Sequence, residues 1–358
     1  MQNAFDNVPH QRLLARLKAY GIDGNLLSWI ESFLSDRRQR VRVNKSFSNY
    51  SPVSSGIPQG SILGPLLFII FINDLPDDVT CTCKIFADDT KIYNSHDNNI
   101  LIQNDLLKFL KWSEKWLLKF NKSKCSVLHM GKKNKRNIYY MDSDSTIPLK
   151  SIDSEKDVGV TFSTDLKFKK HINNVIKKAN QLTGLVKRSF TYLDKNLILN
   201  LYKTIIRPHL EYGNVIWHPM FKEGLKALEK TQRRVTRLIP ELQHMSYKER
   251  LIELKLPSIK FRQIRGDLIQ TFKIVHHIDN LNFSDFFSFN KENQTTRNSN
   301  LKLYKEHAYS KSRNNFLSFR VNNYWNSLTE SSRSAKSILE FKKGIDRDLK
   351  NVMFDYDE

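Results

Sequence analysis

Cysteine is nearly absent from this chain: Cys81, Cys83 and Cys125 are the only three in 358 residues. Three thiols cannot build a disulfide framework, and none stands in a Cys-x-x-Cys or Cys/His spacing suited to zinc. A disulfide-stapled secreted fold is excluded on that ground, and a reducing compartment is expected. The N-terminal stretch has no apolar core followed by small residues, so no signal peptide is read. Long hydrophobic runs are missing too. The longest, Ile62 to Leu75, is interrupted by Gly64, Pro65, Asn73 and Asp74, is too short to span a bilayer, and reads as a buried core helix. No internal repeat is present.

Acidic side chains are scarce beside basic ones. There are 58 Lys and Arg against 37 Asp and Glu, a formal net charge of +21 spread along most of the chain. Charge of that size repels itself in a compact state unless an anion binds, which makes nucleic acid or a membrane surface the natural partner. No amphipathic helix stands alone, which argues against the membrane. On charge alone, a merely basic globular protein is the alternative.

What the chain does have is apolar mass. It is 40% hydrophobic with 22 Phe, 13 Tyr and 5 Trp, enough for one large domain or a few smaller ones. Helical periodicity is read at Pro9 to Tyr20 and Asn25 to Leu34, followed by a hairpin of Arg40–Val43 and Phe47–Val53 turning at Asn44 to Ser46. A second strand pair flanks Asp88 and Asp89, and a long helix runs from about Asn99 to Phe120. Beyond Asp165 the pattern becomes almost wholly helical, strongest at His171 to Phe190, Lys195 to Ile206 and Glu223 to Ile239. The expected fold class is α+β, with boundaries giving regions 1–165, 166–245 and 246–358. Asn280 to Asn300, polar and Asn/Phe-rich, is expected to be a linker.

Two stretches carry chemistry. In CTCKIFADDTKIY, Cys81 to Tyr93, apolar residues flank an Asp-Asp pair in the manner of a tight hairpin, with the aspartates tolerating the positive φ such turns need. An Asp-Asp turn can be only a turn. Yet two carboxylates on a rigid tip also suit a hard divalent cation, which needs one or two protein carboxylates and takes its other oxygens from water and substrate phosphates. In GIPQGSILGPLLF, Gly56 to Phe68, two glycines bracket Pro58-Gln59 ahead of the apolar helix. Such a loop lets backbone approach a ligand while the Gln59 amide donates and accepts hydrogen bonds, or it is simply a helix entry.

These stretches together resemble the reverse transcriptase family. Gly56-Ile57-Pro58-Gln59-Gly60-Ser61 and Phe86-Ala87-Asp88-Asp89 are similar to two of its core motifs, and the wording resembles non-LTR, LINE-type, jockey-like elements. Further matches are Ala4-Phe5-Asp6 with Val8-Pro9-His10, Asn121-x-x-Lys124, Asp157-Val158-Gly159-Val160 with Asp165-Leu166 and His171-Ile172, IRPHLEYGNVIW (Ile206 to Trp217) and FRVNNYWNSL (Phe319 to Leu328). The resemblance covers nearly the whole chain.

It implies a partial right-hand polymerase palm, an antiparallel sheet with helices, followed by a helical thumb and a helical C-terminal region. The implied activity is RNA-directed DNA synthesis by two-metal nucleotidyl transfer to a primer 3′-hydroxyl, with Mg²⁺, or Mn²⁺ in its place. RNA template, DNA primer, their hybrid and deoxynucleoside triphosphates are the implied partners, in a nuclear or cytoplasmic ribonucleoprotein that is neither secreted nor membrane-bound. By resemblance Asp88 is a catalytic metal ligand and Asp89 supports it. Phe5 is the ring under the incoming sugar, Gln59 and Gly60 line the nucleotide pocket, and Lys124 lies near the leaving pyrophosphate. Val158 to Thr164 forms the hairpin that grips the primer. In QRRVTRLI (Gln232 to Ile239), Arg233, Arg234 and Arg237 lie opposite Val235, Leu238 and Ile239, a basic face for hybrid phosphates.

The family's first palm motif reads an aspartate, three further residues, and then Ala-Phe-Asp. Laid on Ala4-Phe5-Asp6, that aspartate falls immediately before Met1, so the expectation is a truncated palm, lacking fingers and inactive by itself. Two hypotheses follow: an RNA-directed DNA polymerase domain, or a non-catalytic basic RNA- and DNA-binding remnant of a mobile element.

Overall fold

The computed structural model describes residues 4–94, 99–131, 133–142, 144, 146–290 and 301–356. The chain divides into two units, Met1–Asp153 and Ser154–Glu358.

In the first unit, helices His10–Ala19 and Gly24–Leu34 bury Leu13, Leu14, Leu17, Ile30 and Leu34 against helix Leu63–Ile72. That helix is buried along one face only. Leu67, Phe68, Phe71 and Ile72 face the core, whereas Ile62, Leu66 and Ile69 are exposed, so the buried core helix expected from its apolar run is corrected to a half-buried one. A helix that is apolar all round has no polar face to show which side packs. The helix expected to reach Phe120 stops at Trp116, where Leu117 takes a positive φ of 56°.

The strands pair off as five two-stranded sheets among the described residues, four antiparallel and one parallel. The expected hairpin after Arg37 forms as Arg42–Val43 against Ser46–Phe47, extended by Arg38–Gln39 against Ser51–Pro52. Ser126–Leu128 runs parallel to Lys150–Ile152.

The second unit opens on hairpin Ser154–Asp157/Val160–Ser163, ahead of the boundary expected near Asp165. Its register is closed by Val158 and Gly159, both with positive φ (41° and 85°), as the favoured two-residue hairpin turn requires. The hairpin belongs here because Val160 joins the second core and the Thr161 amide donates to His171 Nδ1 at 3.2 Å. Periodicity locates a strand without showing what it packs on. His171 lies on helix Lys169–Ser189, meets Trp217 edge-on at 4.9 Å, and Trp217 Nε1 donates to the Tyr212 carbonyl at 2.6 Å. The Tyr212 hydroxyl in turn donates to the Val158 carbonyl at 2.9 Å, with its ring where a Cβ on Gly159 would sit. Three separated motifs thus build one cluster.

No division falls at 245/246: Val235, Tyr247 and Leu251 share the core that runs from Val160 to Ile259. The next core begins on helix Ile259–Val275, at Phe261, and is completed by Trp325 and Phe341. Residues 291–300 of the expected linker lie outside the described residues. Before them, Phe287 is buried and Phe289 pairs with Leu303, so this part is anchored by its aromatic rings. The motif FRVNNYWNSL holds that neighbourhood together: Trp325 Nε1 donates to the Leu301 carbonyl, Asn326 bonds both the amide and the carbonyl of Leu303, and Arg320 spans Asp267 and the Val215 carbonyl.

Candidate active site

Phe5 and Asp6 lie in a single helical turn, Ala4–Asn7, stitched to the Gly56 loop. The Gly56 amide donates to the Val8 carbonyl at 2.9 Å, the Ile57 amide to the Phe5 carbonyl at 2.8 Å, and the Ser55 hydroxyl to the Asp6 carbonyl at 2.9 Å. His10 Nε2 and Arg37 converge on the Gly56 carbonyl at 2.8 and 3.1 Å. Gly56 has a φ of 88°, and a Cβ there would lie 2.6 Å from the Asp6 carbonyl oxygen. The close approach that the glycine permits is therefore to the chain's own N-terminal segment. Exposed Gln59 then donates from Nε2 to Asp6 Oδ1 at 2.9 Å, with exposed Gly60 beside it. The Phe5 ring is half-buried and stacks on Phe68 at 4.4 Å. Phe5, Asp6, Gln59 and Gly60 are thus brought to one place.

Asp88 and Asp89 sit at the tip of hairpin Thr82–Phe86/Asp89–Tyr93, closed by the pair Phe86–Asp89. The positive φ, 50°, belongs to Ala87 and not to either aspartate, which corrects the expectation of an Asp-tolerated turn. A left-handed alanine costs about 1 kcal/mol or more, strain the ladder must hold in place. Asp88 is half-buried and Asp89 exposed, while Ile85 and Ile92 pack the hairpin onto the core that contains Ile57 and Phe68.

Asp105 was not foreseen, and it anchors this hairpin. It is fully buried on helix Asn99–Trp116 and accepts from the amides of Thr80 and Cys81 and from Lys108 Nζ. Burial pushes its carboxyl up, but those donors outweigh it and hold it below the ordinary carboxylate value. The same burial, with Asp105 alongside, pushes the Cys81 thiol up to about 11, which makes that thiol inert. Also unforeseen is Asp74, which ties Arg16 (2.6 Å) and Trp112 Nε1 (2.8 Å) at the end of helix Leu63–Ile72, with Arg16 lying 3.5 Å over the Trp116 ring. An acid amid apolar helical neighbours was the available signal for Asp105. Lys124 ends the short turn Lys122–Lys124, capped by Asn121, and is exposed.

Arg233, Arg234 and Arg237 lie in the second unit. All three are exposed at the end of helix Lys222–Thr236, with Val235 and Ile239 buried behind them. Arg234 donates to Asn180 Oδ1 at 2.7 Å, and Arg233 lies over the Tyr247 ring.

Comparison with known proteins decides the family. The family model described as reverse transcriptase (RNA-dependent DNA polymerase) matches residues 1–193, more than half of the chain. The chain belongs to the reverse transcriptase family. It is 31% identical over 254 residues to the probable RNA-directed DNA polymerase from transposon X-element of Drosophila melanogaster, covering 67% of this chain and 27% of that protein. It is 26% identical over 296 residues to the RNA-directed DNA polymerase from mobile element jockey of the same species, covering 75% of this chain and 30% of that protein. A third relative, the probable RNA-directed DNA polymerase from transposon BS, is 28% identical over 263 residues. The jockey-like, non-LTR resemblance of the motifs agrees with these relatives. The chain spans less than a third of the length of the first two. Reverse transcriptases in general use divalent metal ions and act on an RNA template with nucleotide substrates. Among the described residues, no helix is long and apolar enough to cross a membrane.

Proposed function

We propose that this chain supplies the palm and thumb of an RNA-directed DNA polymerase of a jockey-like retrotransposon. The observation that supports it best is the pairing of a carboxylate-tipped hairpin with a glycine-bracketed loop on one core. Asp88 and Asp89 crown the hairpin, and Phe5-Asp6 is bonded into Gly56–Gln59.

The donor set fits a hard cation. Asp88 and Asp89 are adjacent carboxylates at the hairpin tip, half-buried and exposed respectively. Two such carboxylates suit Mg²⁺, or Mn²⁺ in its place, with substrate phosphates completing the shell. When bound, the ion supplies charge neutralisation at the phosphates and a more nucleophilic primer hydroxyl.

The chain's own residues position the reactants. Asp88 would hold the ion, with Asp89 supporting it. Phe5, braced by Phe68, offers its ring edge beneath the sugar of a deoxynucleoside triphosphate, while Gln59, oriented by Asp6, and the Gly60 backbone line the pocket. Lys124 serves the leaving pyrophosphate. The turn at Val158-Gly159, held by Tyr212, touches the DNA primer strand, and Arg233, Arg234 and Arg237 bind phosphates of the RNA/DNA hybrid. Such a protein works in a ribonucleoprotein in the nucleus or cytoplasm.

The test is extension of a DNA primer on an RNA template with Mg²⁺ and all four deoxynucleotides. Extension by this chain that Asp88→Asn abolishes supports the reading. Salt-sensitive hybrid binding with no extension by either protein refutes the claim that these residues are an enzyme and leaves the non-catalytic binder.

A further inference from the structure

A basic, amide-lined cleft lies far along the chain from every residue assigned above. A cavity of about 440 Å³ is lined by Lys305, Lys311, Asn314, Asn323 and Arg320 over the buried Phe319 ring. A second cavity of about 430 Å³ shares Lys305, Lys311 and Asn314 and continues to His307 and Tyr309. One wall is rigid. Arg320 is fixed by Asp267 through two bonds of 2.7 and 2.8 Å and by the Asn315 carbonyl at 2.7 Å, and Asn315 in turn donates to the His218 carbonyl. Asp267 neutralises Arg320, so Lys305 and Lys311 are the cations left to meet a ligand. Lys305 Nζ is held over the cleft by Asn323 Oδ1 at 3.0 Å. Glu306 is the one acid among the lining residues.

Tyr309 completes the set. It is 93% exposed, and its ring meets His307 edge-on at 4.9 Å. Leaving a large ring in water forfeits its burial free energy, and here it stands in a cavity with two lysines and the Asn314 carboxamide. Cations for phosphates, amides for base edges and an exposed ring for a base face are the three elements that hold an unpaired strand. A duplex presents no free base face, so the ring would add nothing to hybrid binding.

We propose that the cleft of Lys305, Tyr309, Lys311 and Asn314 is a further nucleic-acid site, specific for single strands and built from residues other than those assigned to the palm and the Arg233 face. An RNA or a DNA strand would satisfy this chemistry equally.

The experiment uses the full chain with twelve-nucleotide oligomers carrying a photoreactive 5-iodouracil base, in separate RNA and DNA arms, followed by mapping of the cross-linked residue. Adducts at Tyr309 are expected, in one arm or both, and the arm identifies the strand. Tyr309→Ala is expected to weaken single-strand binding roughly tenfold, with Tyr309→Phe near wild type and hybrid binding within about twofold. Lys311→Ala is expected to lower the salt dependence of single-strand binding by about 0.7 in log–log slope. Both side chains are exposed, so unchanged thermal unfolding should accompany these effects. The proposal is overturned by adducts confined to other segments, by wild-type affinity in Tyr309→Ala, or by polyglutamate competing as well as an unlabelled oligomer.

Discussion

Replacing Gly56 by alanine should release the N-terminal segment from the candidate active site. The added Cβ would meet the carbonyl oxygen, Cα and carbonyl carbon of Asp6 at 2.6, 2.7 and 2.8 Å, all backbone atoms that cannot rotate away. Restoring ordinary contact requires the two segments to part by roughly 0.7 Å. The bonds Gly56 N to Val8, Ile57 N to Phe5, Ser55 to Asp6 and Gln59 to Asp6 then lengthen together. Each such bond contributes about 1 kcal/mol, and weakening the four by roughly half, together with about 1–2 kcal/mol for a left-handed alanine, should make local opening easier by about 3–4 kcal/mol. Amide hydrogen exchange reads this directly: the Gly56 and Ile57 amides should exchange roughly 10²–10³-fold faster. Gly60→Ala is the control, because a Cβ at Gly60 meets nothing within 4 Å, and exchange at those two amides should stay as in the wild type. Unaltered protection at positions 56 and 57 in a folded Gly56→Ala protein would refute the reasoning.

Three further outcomes follow from the second unit. His171 is buried, and its Nδ1 must stay unprotonated to accept from Thr161, so burial first and then Lys156 depress its pKa from an ordinary 6.5 to about 4. The unfolded chain takes up a proton below pH 6.5 that the fold refuses, so stability should be lost as pH falls from 6.5 to 4, by about 3 kcal/mol in all. Urea unfolding followed by tryptophan fluorescence should show that loss, and it should shrink in His171→Phe. Arg320→Met leaves the buried Asp267 carboxylate without its partner and should destabilise by about 3–5 kcal/mol, with Arg320→Met/Asp267→Leu recovering most of it in the same urea assay. Replacing Arg233, Arg234 and Arg237 together by alanine should weaken hybrid binding and reduce its log–log salt slope by about 2 to 3, measured by fluorescence anisotropy.

The motifs were legible because they are short and local. A hairpin with two aspartates and a glycine-bracketed loop each declare themselves within a few residues, and their order is similar to that of the family. What fixes them in space was not legible. Asp105 bonds back to Thr80 and Cys81, Arg16 reaches Asp74, and Gly56 meets Asp6, in every case across a long stretch of chain. Each of these residues reads locally as an ordinary surface charge or a turn glycine. The left-handed residue of the Asp88-Asp89 hairpin was misplaced for a related reason. Intrinsic preference favours Asp over Ala at positive φ, and the ladder's register, which sets Phe86 against Asp89, overrode that preference. The domain boundary slipped because the Ser154–Ser163 hairpin packs forward onto His171 and Trp217.

The most direct test of the central claim is to locate the metal without relying on turnover. With the chain bound to an RNA/DNA hybrid and a deoxynucleoside triphosphate, Fe²⁺ in place of Mg²⁺ and ascorbate generate hydroxyl radicals that cut the backbone beside the ion. The account predicts cuts within Phe86–Thr90 that disappear in Asp88→Asn while hybrid binding persists. Cuts that fall elsewhere, or that survive in Asp88→Asn, would contradict it.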